Sequence, residues 1–192
     1  MSNKEIVIVV SGLPRSGTSM MMKMLEAGGV EALTDQTRAP DESNPGGYYE
    51  LDSVKRTKQN HEWLDRADGK AVKIVSKLLY DLPSDKYYKV LFMKRRMEVV
   101  LSSQREMLKA VGKATEDEPG DEEIGRLFEN HLKQVLTWLA VQKNFDVLAV
   151  NYNDLVADPM VILEIIQEFL ERNLDIARMA QVMDTSLYRQ RK

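Results

Sequence analysis

Ile6-Val7-Ile8-Val9-Val10-Ser11-Gly12-Leu13-Pro14-Arg15-Ser16-Gly17-Thr18-Ser19 is the stretch whose reading decides the fold. Its first five residues are an unbroken β-branched run, which predicts a strand buried on both faces. Gly12 and Gly17 then stand at the spacing of the phosphate-loop pattern G-x-x-x-x-G-K-[ST]. Glycines let the backbone curl so that successive N–H groups point inward. The helix start that follows adds unsatisfied donors and a favourable dipole, and Thr18 and Ser19 add hydroxyls. Residues 18–27 are good helix formers and stop at Gly28-Gly29, a natural C-terminal cap. Strand, loop and helix in this order predict an anion site.

The departure from the pattern is informative. Thr18 holds the lysine position, and Arg15 is the only cation in the loop. A nucleoside triphosphatase needs that lysine against its phosphates and an acid after a strand to hold magnesium. Val150 is followed by Asn151, Val75 by Ser76 and Met93 by Lys94, so no such acid is in place. The loop is therefore expected to grip a single phosphate group without a metal.

Working outward, residues 30–34 are a candidate strand and residues 37–47, with Pro40, Pro45, Gly46 and Gly47, a loop. Residues 51–66 suggest a polar helix ending before Asp68-Gly69. Residues 71–75 and 87–93 predict further buried strands, and residues 97–110 a helix after the second. The acidic run from Glu116 to Glu123 predicts a solvated loop whose acids face a helix N-terminus. Ile124, Leu127, Phe128, His131, Leu132, Val135, Leu136 and Leu139 then keep the 3/4 spacing of one apolar helical face. Residues 147–150 read as a strand, and Asp158-Pro159 as a helix start, with an N-cap side chain followed by first-turn proline. Strands alternating with helices imply an α/β fold in three layers, α/β/α, with a mostly parallel central sheet.

The 192 residues suit a single domain. A net charge of −3 gives no general attraction to nucleic acid, so an anion site must come from local placement. The absence of cysteine excludes disulfides, thiolate zinc sites and a cysteine nucleophile. No apolar run suits a signal peptide or a membrane span, so a cytoplasmic location without membrane partners is expected.

Pro14-Arg15-Ser16-Gly17-Thr18-Ser19 resembles the 5′-phosphosulfate loop of the sulfotransferases that use PAPS (3′-phosphoadenosine 5′-phosphosulfate). It is closest to the bacterial branch, with arginine where the cytosolic animal enzymes have lysine. Asn44-Pro45-Gly46-Gly47-Tyr48-Tyr49-Glu50 is similar to the loop after the second strand of bacterial members. Residues 95–103 resemble the segment that holds the 3′-phosphate, an arginine followed eight positions later by a serine. Arg95 with Ser103 is preferred for its fork geometry, although Lys94 and Ser102 have the same spacing. Residues 151–159 resemble the family's tyrosine-led strand-to-helix turn, and Ser186-Leu187-Tyr188-Arg189 its usual ending.

The resemblance implies transfer of a sulfuryl group from PAPS to a hydroxyl or amine of a small-molecule or glycan acceptor, with no metal. It implies a cradle of Pro14, Arg15, Ser16, Gly17, Thr18, Ser19, Arg95 and Ser103, and Lys73 reaching the transferred group. The base is open. No histidine stands just after Lys73, and other branches use a glutamate near the second strand, which makes Glu50 the candidate, with Glu42, Asp41 or His61 as alternatives. Tyr48, Tyr49, Trp63 and Trp138 are candidates to line a pocket, Trp138 being the better fit to a core. Arg189, Arg191 and Lys192 stand where the family has a basic loop over the 3′-phosphate. The competing readings are a P-loop kinase of small molecules, which predicts ATP and magnesium, and a nucleotide-binding protein without catalysis.

Overall fold

The computed structural model describes residues 6–35, 47–110, 112 and 120–183. The β-branched run forms β1 (Ile6–Gly12). It is followed by β2 (Ala71–Val75), β3 (Tyr87–Lys94) and β4 (Phe145–Asn151). The spatial order is β2-β1-β3-β4 and every pair is parallel, with Val9 opposite Val72 on one side and Val90 on the other. Parallel strands need crossovers, and helices supply them. α1 (Thr18–Ala27) lies between β1 and β2, a 3-10 turn (Ser76–Asp81) between β2 and β3, and α2 (Met97–Ala110) and α3 (Asp121–Leu139) between β3 and β4, while α4 (Tyr152–Ala157), α5 (Pro159–Leu170) and α6 (Ile176–Gln181) follow the last strand.

The two-residue period of a strand divides the core into two layers. Val7, Val9, Val72, Ile74, Tyr88, Val90 and Phe92 face one side and pack against Val135 and Leu139 of α3. Ile8, Val10, Leu91 and Met93 face the other, against α1, α5 and α6. This is the expected three-layer α/β/α fold. Met21, Met22 and Met24 are wholly buried on α1, each side chain contributing about 1.5–3 kcal/mol by leaving water. Asp158 caps α5 as its sequence predicts, its carboxylate accepting from the Val161 N–H at 3.4 Å.

Lys89 is nearly buried on β3 and reaches the end of α5. It donates to the Phe169 carbonyl and to Glu171 Oε1, each at 2.8 Å. The lysine thus satisfies a helix-end carbonyl that has no partner within the helix.

Two expectations change. Residues 51–66 are not one helix but two 3-10 turns, Asp52–Arg56 and Glu62–Arg66, separated by residues 57–61. Val54, Trp63 and Leu64 pin these turns to the core individually, and the Thr57 hydroxyl bonds back to the Val54 carbonyl at 2.7 Å. Residues 30–34 contribute a single parallel bridge, Ala32 to Ala71, rather than a full strand. Of the acidic run, Asp121, Glu122 and Glu123 occupy the first turn of α3, where the helix dipole favours them; residues 113–119 lie outside the described residues.

Candidate active site

β1 and β3 are neighbours whose outgoing connections run to opposite faces of the sheet, α1 packing on one and α3 on the other. That is the switch point at which open α/β sheets leave a crevice beyond their strand ends. A cleft of about 430 Å³ occupies it. The loop after β1 forms its floor. Ser16 closes the loop on itself: its N–H and its hydroxyl both donate to the Leu13 carbonyl, at 3.2 and 2.7 Å. The Ser16 side chain is therefore buried and does not line the cleft, whereas Pro14, Arg15, Gly17, Thr18 and Ser19 do.

Gly17 is the N-cap of α1, with φ 101°, and no side chain caps that helix. The start of α1 therefore opens onto the cleft with no side chain capping it, which is the arrangement that holds anions. Glycine is required here. A Cβ at Gly17 would lie 2.5 Å from Cδ2 of Tyr152, the first residue of α4.

Three distant segments fasten the loop. Arg15 has φ 69°, its Nε donates to Ser103 Oγ on α2 at 2.8 Å, and its carbonyl accepts from Arg95 Nη1 at 3.2 Å. The Arg95 guanidinium carbon sits 4.2 Å from the centroid of the Tyr152 ring, a cation–π stack that orients the fork. Arg95 lines the cleft, whereas Lys94 is exposed and neither it nor Ser102 lines it; Ser103 does not line it either and reaches it only through its bond to Arg15. Tyr152, not singled out as a site residue from sequence, joins the loop to Arg95. The signal was present in the tyrosine-led turn, but its contacts with Gly17 and Arg95 are long-range.

The opposite wall comes from β2 and residues 47–56. Lys73, opposite Val10 in the sheet, lies 3.5 Å from Ser19 Oγ and donates to the Tyr48 carbonyl. Its ammonium is 5.9 Å from the Tyr48 ring centroid. Tyr49 takes φ 50° and turns away from the cleft, so that its hydroxyl donates to Glu26 Oε2 of α1 at 2.6 Å. Burial, reinforced by the Glu26 carboxylate, holds the Tyr49 phenol well above its ordinary range. The chain then returns Glu50 to the cleft. The Glu50 carbonyl accepts from the Thr34 hydroxyl at 2.8 Å, and its carboxylate stands 3.7 Å from Lys55 Nζ. The hydrogen bond from Lys55 to Asp52 raises the Lys55 pKa and keeps the ammonium charged.

The remaining sequence candidates lie elsewhere. His61 is exposed and does not line the cleft. His131 on α3 pairs its Nε2 with Ser76 Oγ at 2.8 Å, and burial, helped by Lys77, lowers its pKa. Trp138 packs in the core, 4.8 Å from Tyr80 and 5.4 Å from Phe145 between ring centroids. Trp63 is buried and donates its indole N–H to Thr57 Oγ1 at 3.0 Å. Asp41, Glu42, Asn44, Pro45, Gly46 and residues 184–192 lie outside the described residues. Among the described residues, no helix is long and apolar enough to cross a membrane.

Comparison with known proteins bears on the same cleft. The family model described as a sulfotransferase domain matches residues 5–192. No curated protein sequence matches. Among solved structures, a sulfotransferase domain from the curacin biosynthetic pathway is similar with a TM-score of 0.57 and 15% identity, covering 95% of this chain and 79% of that one. The sulfotransferase STF1 from Mycobacterium tuberculosis gives 0.58 and 17%, over 95% of this chain and 72% of that one. The mouse sulfotransferase SULT7A1, complexed with PAP, gives 0.58 and 17%, over 93% and 63%. At such identities these structures speak to the fold.

Proposed function

Since this chain belongs to the sulfotransferase domain family and is a sulfotransferase, we propose that its donor is PAPS and its acceptor a hydroxyl or amine of a small molecule or glycan. One observation carries the reading: the uncapped start of α1, Arg15 and Arg95 converge on one cleft. The donor set fits a nucleotide with two separated phosphates. Backbone amides and Arg15 suit the 5′-phosphate, with Pro14, Ser16 and Gly17 shaping the loop and Thr18 and Ser19 offering hydroxyls. Arg95, oriented by Tyr152, and Ser103 suit the 3′-phosphate. The complex of mouse SULT7A1 with PAP is a similar protein holding such a ligand.

In the reaction, a bond forms between the acceptor oxygen or nitrogen and sulfur, and the bond from sulfur to the 5′-phosphate oxygen breaks. Arg15 and the loop amides neutralise the charge that grows on that departing oxygen. Lys73, across the cleft beside Ser19, steadies the oxygens of the group in transit. Glu50 takes the acceptor's proton. Glu50 lines the cleft on a backbone tethered to Thr34, and that position supports the assignment.

Calorimetric titration tests the reading. Adenosine 3′,5′-bisphosphate is expected to bind without a metal and more tightly than ATP with magnesium. A preference for ATP with magnesium would overturn it in favour of a kinase. Turnover by Glu50→Gln is expected to fall about 10²-fold, within the usual range for removing a general base. Unchanged turnover would remove Glu50 from the mechanism.

A further inference from the structure

Away from the cleft, the two 3-10 turns border a hollow of about 390 Å³ lined by Ser53, Arg56, Gln59, Asn60, Glu62, Trp63 and Arg66. Its charge is unusual for a chain of net charge −3. The nearby acids are engaged with other groups. Asp52 pairs with Lys55 at 2.8 Å, Asp65 with Lys86 at 3.9 Å, and Glu62 accepts from the Asn60 amide at 3.2 Å. The guanidinium groups of Arg56 and Arg66 make no hydrogen bond or ion pair among the described residues, and the Ser53 hydroxyl also lacks a partner. Two forked cations thus line one concavity with a single acid, Glu62, whose carboxylate is engaged with the Asn60 amide, so the lining carries a net positive charge.

We propose that this hollow is a second oxyanion site, which holds a sulfate or phosphate ester group already carried by the acceptor. Planar guanidinium forks match the oxygens of such a group through paired hydrogen bonds, and the Gln59 amide adds a neutral donor. The hollow is in the size range of pockets that take an organic ligand rather than a bare ion, so the ion enters with the molecule that bears it. Its position points to the acceptor. The turn Asp52–Arg56 is a shared wall: Val54 and Lys55 line the cleft, while Ser53 and Arg56 line the hollow. Such a turn rises only about 2 Å per residue. An acceptor with its nucleophile beside Glu50 and an anionic substituent beyond the turn would bridge the two. The acceptor half of this inference rests on the sulfuryl-transfer reading; the oxyanion half does not.

The test uses the full chain saturated with adenosine 3′,5′-bisphosphate, at ionic strength held constant with chloride. Glucose 6-sulfate is titrated while the indole N–H resonances of Trp63, in the hollow, and Trp138, in the core, are followed. A saturable shift of Trp63 alone, weakened at least tenfold in Arg56→Gln/Arg66→Gln, is the expected result. No saturable shift, or equal affinity in the double variant, overturns the oxyanion site. If that variant loses its dispersed spectrum, Arg56→Lys/Arg66→Lys replaces it and must still bind more weakly than wild type. Inorganic sulfate binding as tightly as the ester overturns the acceptor-borne source. Failure of the bisphosphate to bind sinks the reading of the main cleft instead, and the titration is then read without it.

Discussion

Replacing Gly17 with alanine adds one methyl group at the point where loop, helix and Tyr152 meet, and its effect divides into two parts. The first is backbone strain. At φ 101° an L-residue is held outside its favoured regions, at a cost of about 1–3 kcal/mol. The second is collision. The new Cβ would stand 2.5 Å from Tyr152 Cδ2, and overpacking of this kind costs a further ~1–3 kcal/mol. Gly29 separates the two, because it has nearly the same φ, 97°, and its Cβ would meet nothing within 4 Å. Gly29→Ala should therefore lose only the backbone part, about 1–3 kcal/mol, and Gly17→Ala about 2–6 kcal/mol. Thermal unfolding should register this at roughly 2–4 °C per kcal/mol for a chain of this size. A displaced Tyr152 also loses its stack on Arg95, worth about 0.5–2 kcal/mol, so affinity for adenosine 3′,5′-bisphosphate should fall about 2- to 30-fold in Gly17→Ala. Calorimetry on Gly29→Ala should show unchanged affinity. Equal stability losses in the two variants, or wild-type affinity in Gly17→Ala, would refute the argument.

Four further outcomes are expected. Arg15→Ala should weaken bisphosphate binding and slow turnover about 10²-fold, the range for losing a donor to developing charge; single-turnover kinetics separate the two effects. Lys89→Met, which deprives the Phe169 carbonyl of its donor, should cost about 1–3 kcal/mol in urea unfolding. Glu171→Gln should leave stability nearly unchanged, because that carboxylate is largely exposed and its pairing with Lys89 is screened. His131 has its pKa lowered by burial, so the unfolded chain binds the proton more readily than the folded one. The stability this confers is fully present above the ordinary histidine pKa of about 6.5 and is lost as pH falls through the lower folded value. Urea titrations of wild type and His131→Gln across that interval should show the slope in the former and a flatter profile in the latter.

The sheet was legible wherever burial on both faces wrote itself as a continuous apolar run, as in residues 6–10 and 87–93. The long helix α3 was legible from its 3/4 stripe. Residues 51–66 misled because polarity alone resembles a solvated helix. What shapes them is the separate anchoring of Val54, Trp63 and Leu64 in the core, and no local period records that. In the cleft, several of the lining residues near the strand ends, Arg15, Glu50, Lys73 and Arg95 among them, could be named from sequence. The left-handed Tyr49, the Lys73 bond to the Tyr48 carbonyl and the wedge of Tyr152 against Gly17 could not, since each joins segments that only the tertiary fold brings together.

The fastening of Arg15 to Ser103 spans 88 positions, and that of its carbonyl to Arg95 spans 80. Contacts of such range form late, because ring closure over long chain segments costs entropy before it is rewarded. On the ribosome, the emerging amino-terminal third carries the glycine loop but none of the clamps that hold it in shape. Competence to capture a nucleotide is thus complete only once α4 has been made, and chains cut short before it should be inert toward the nucleotide however much local helix they contain.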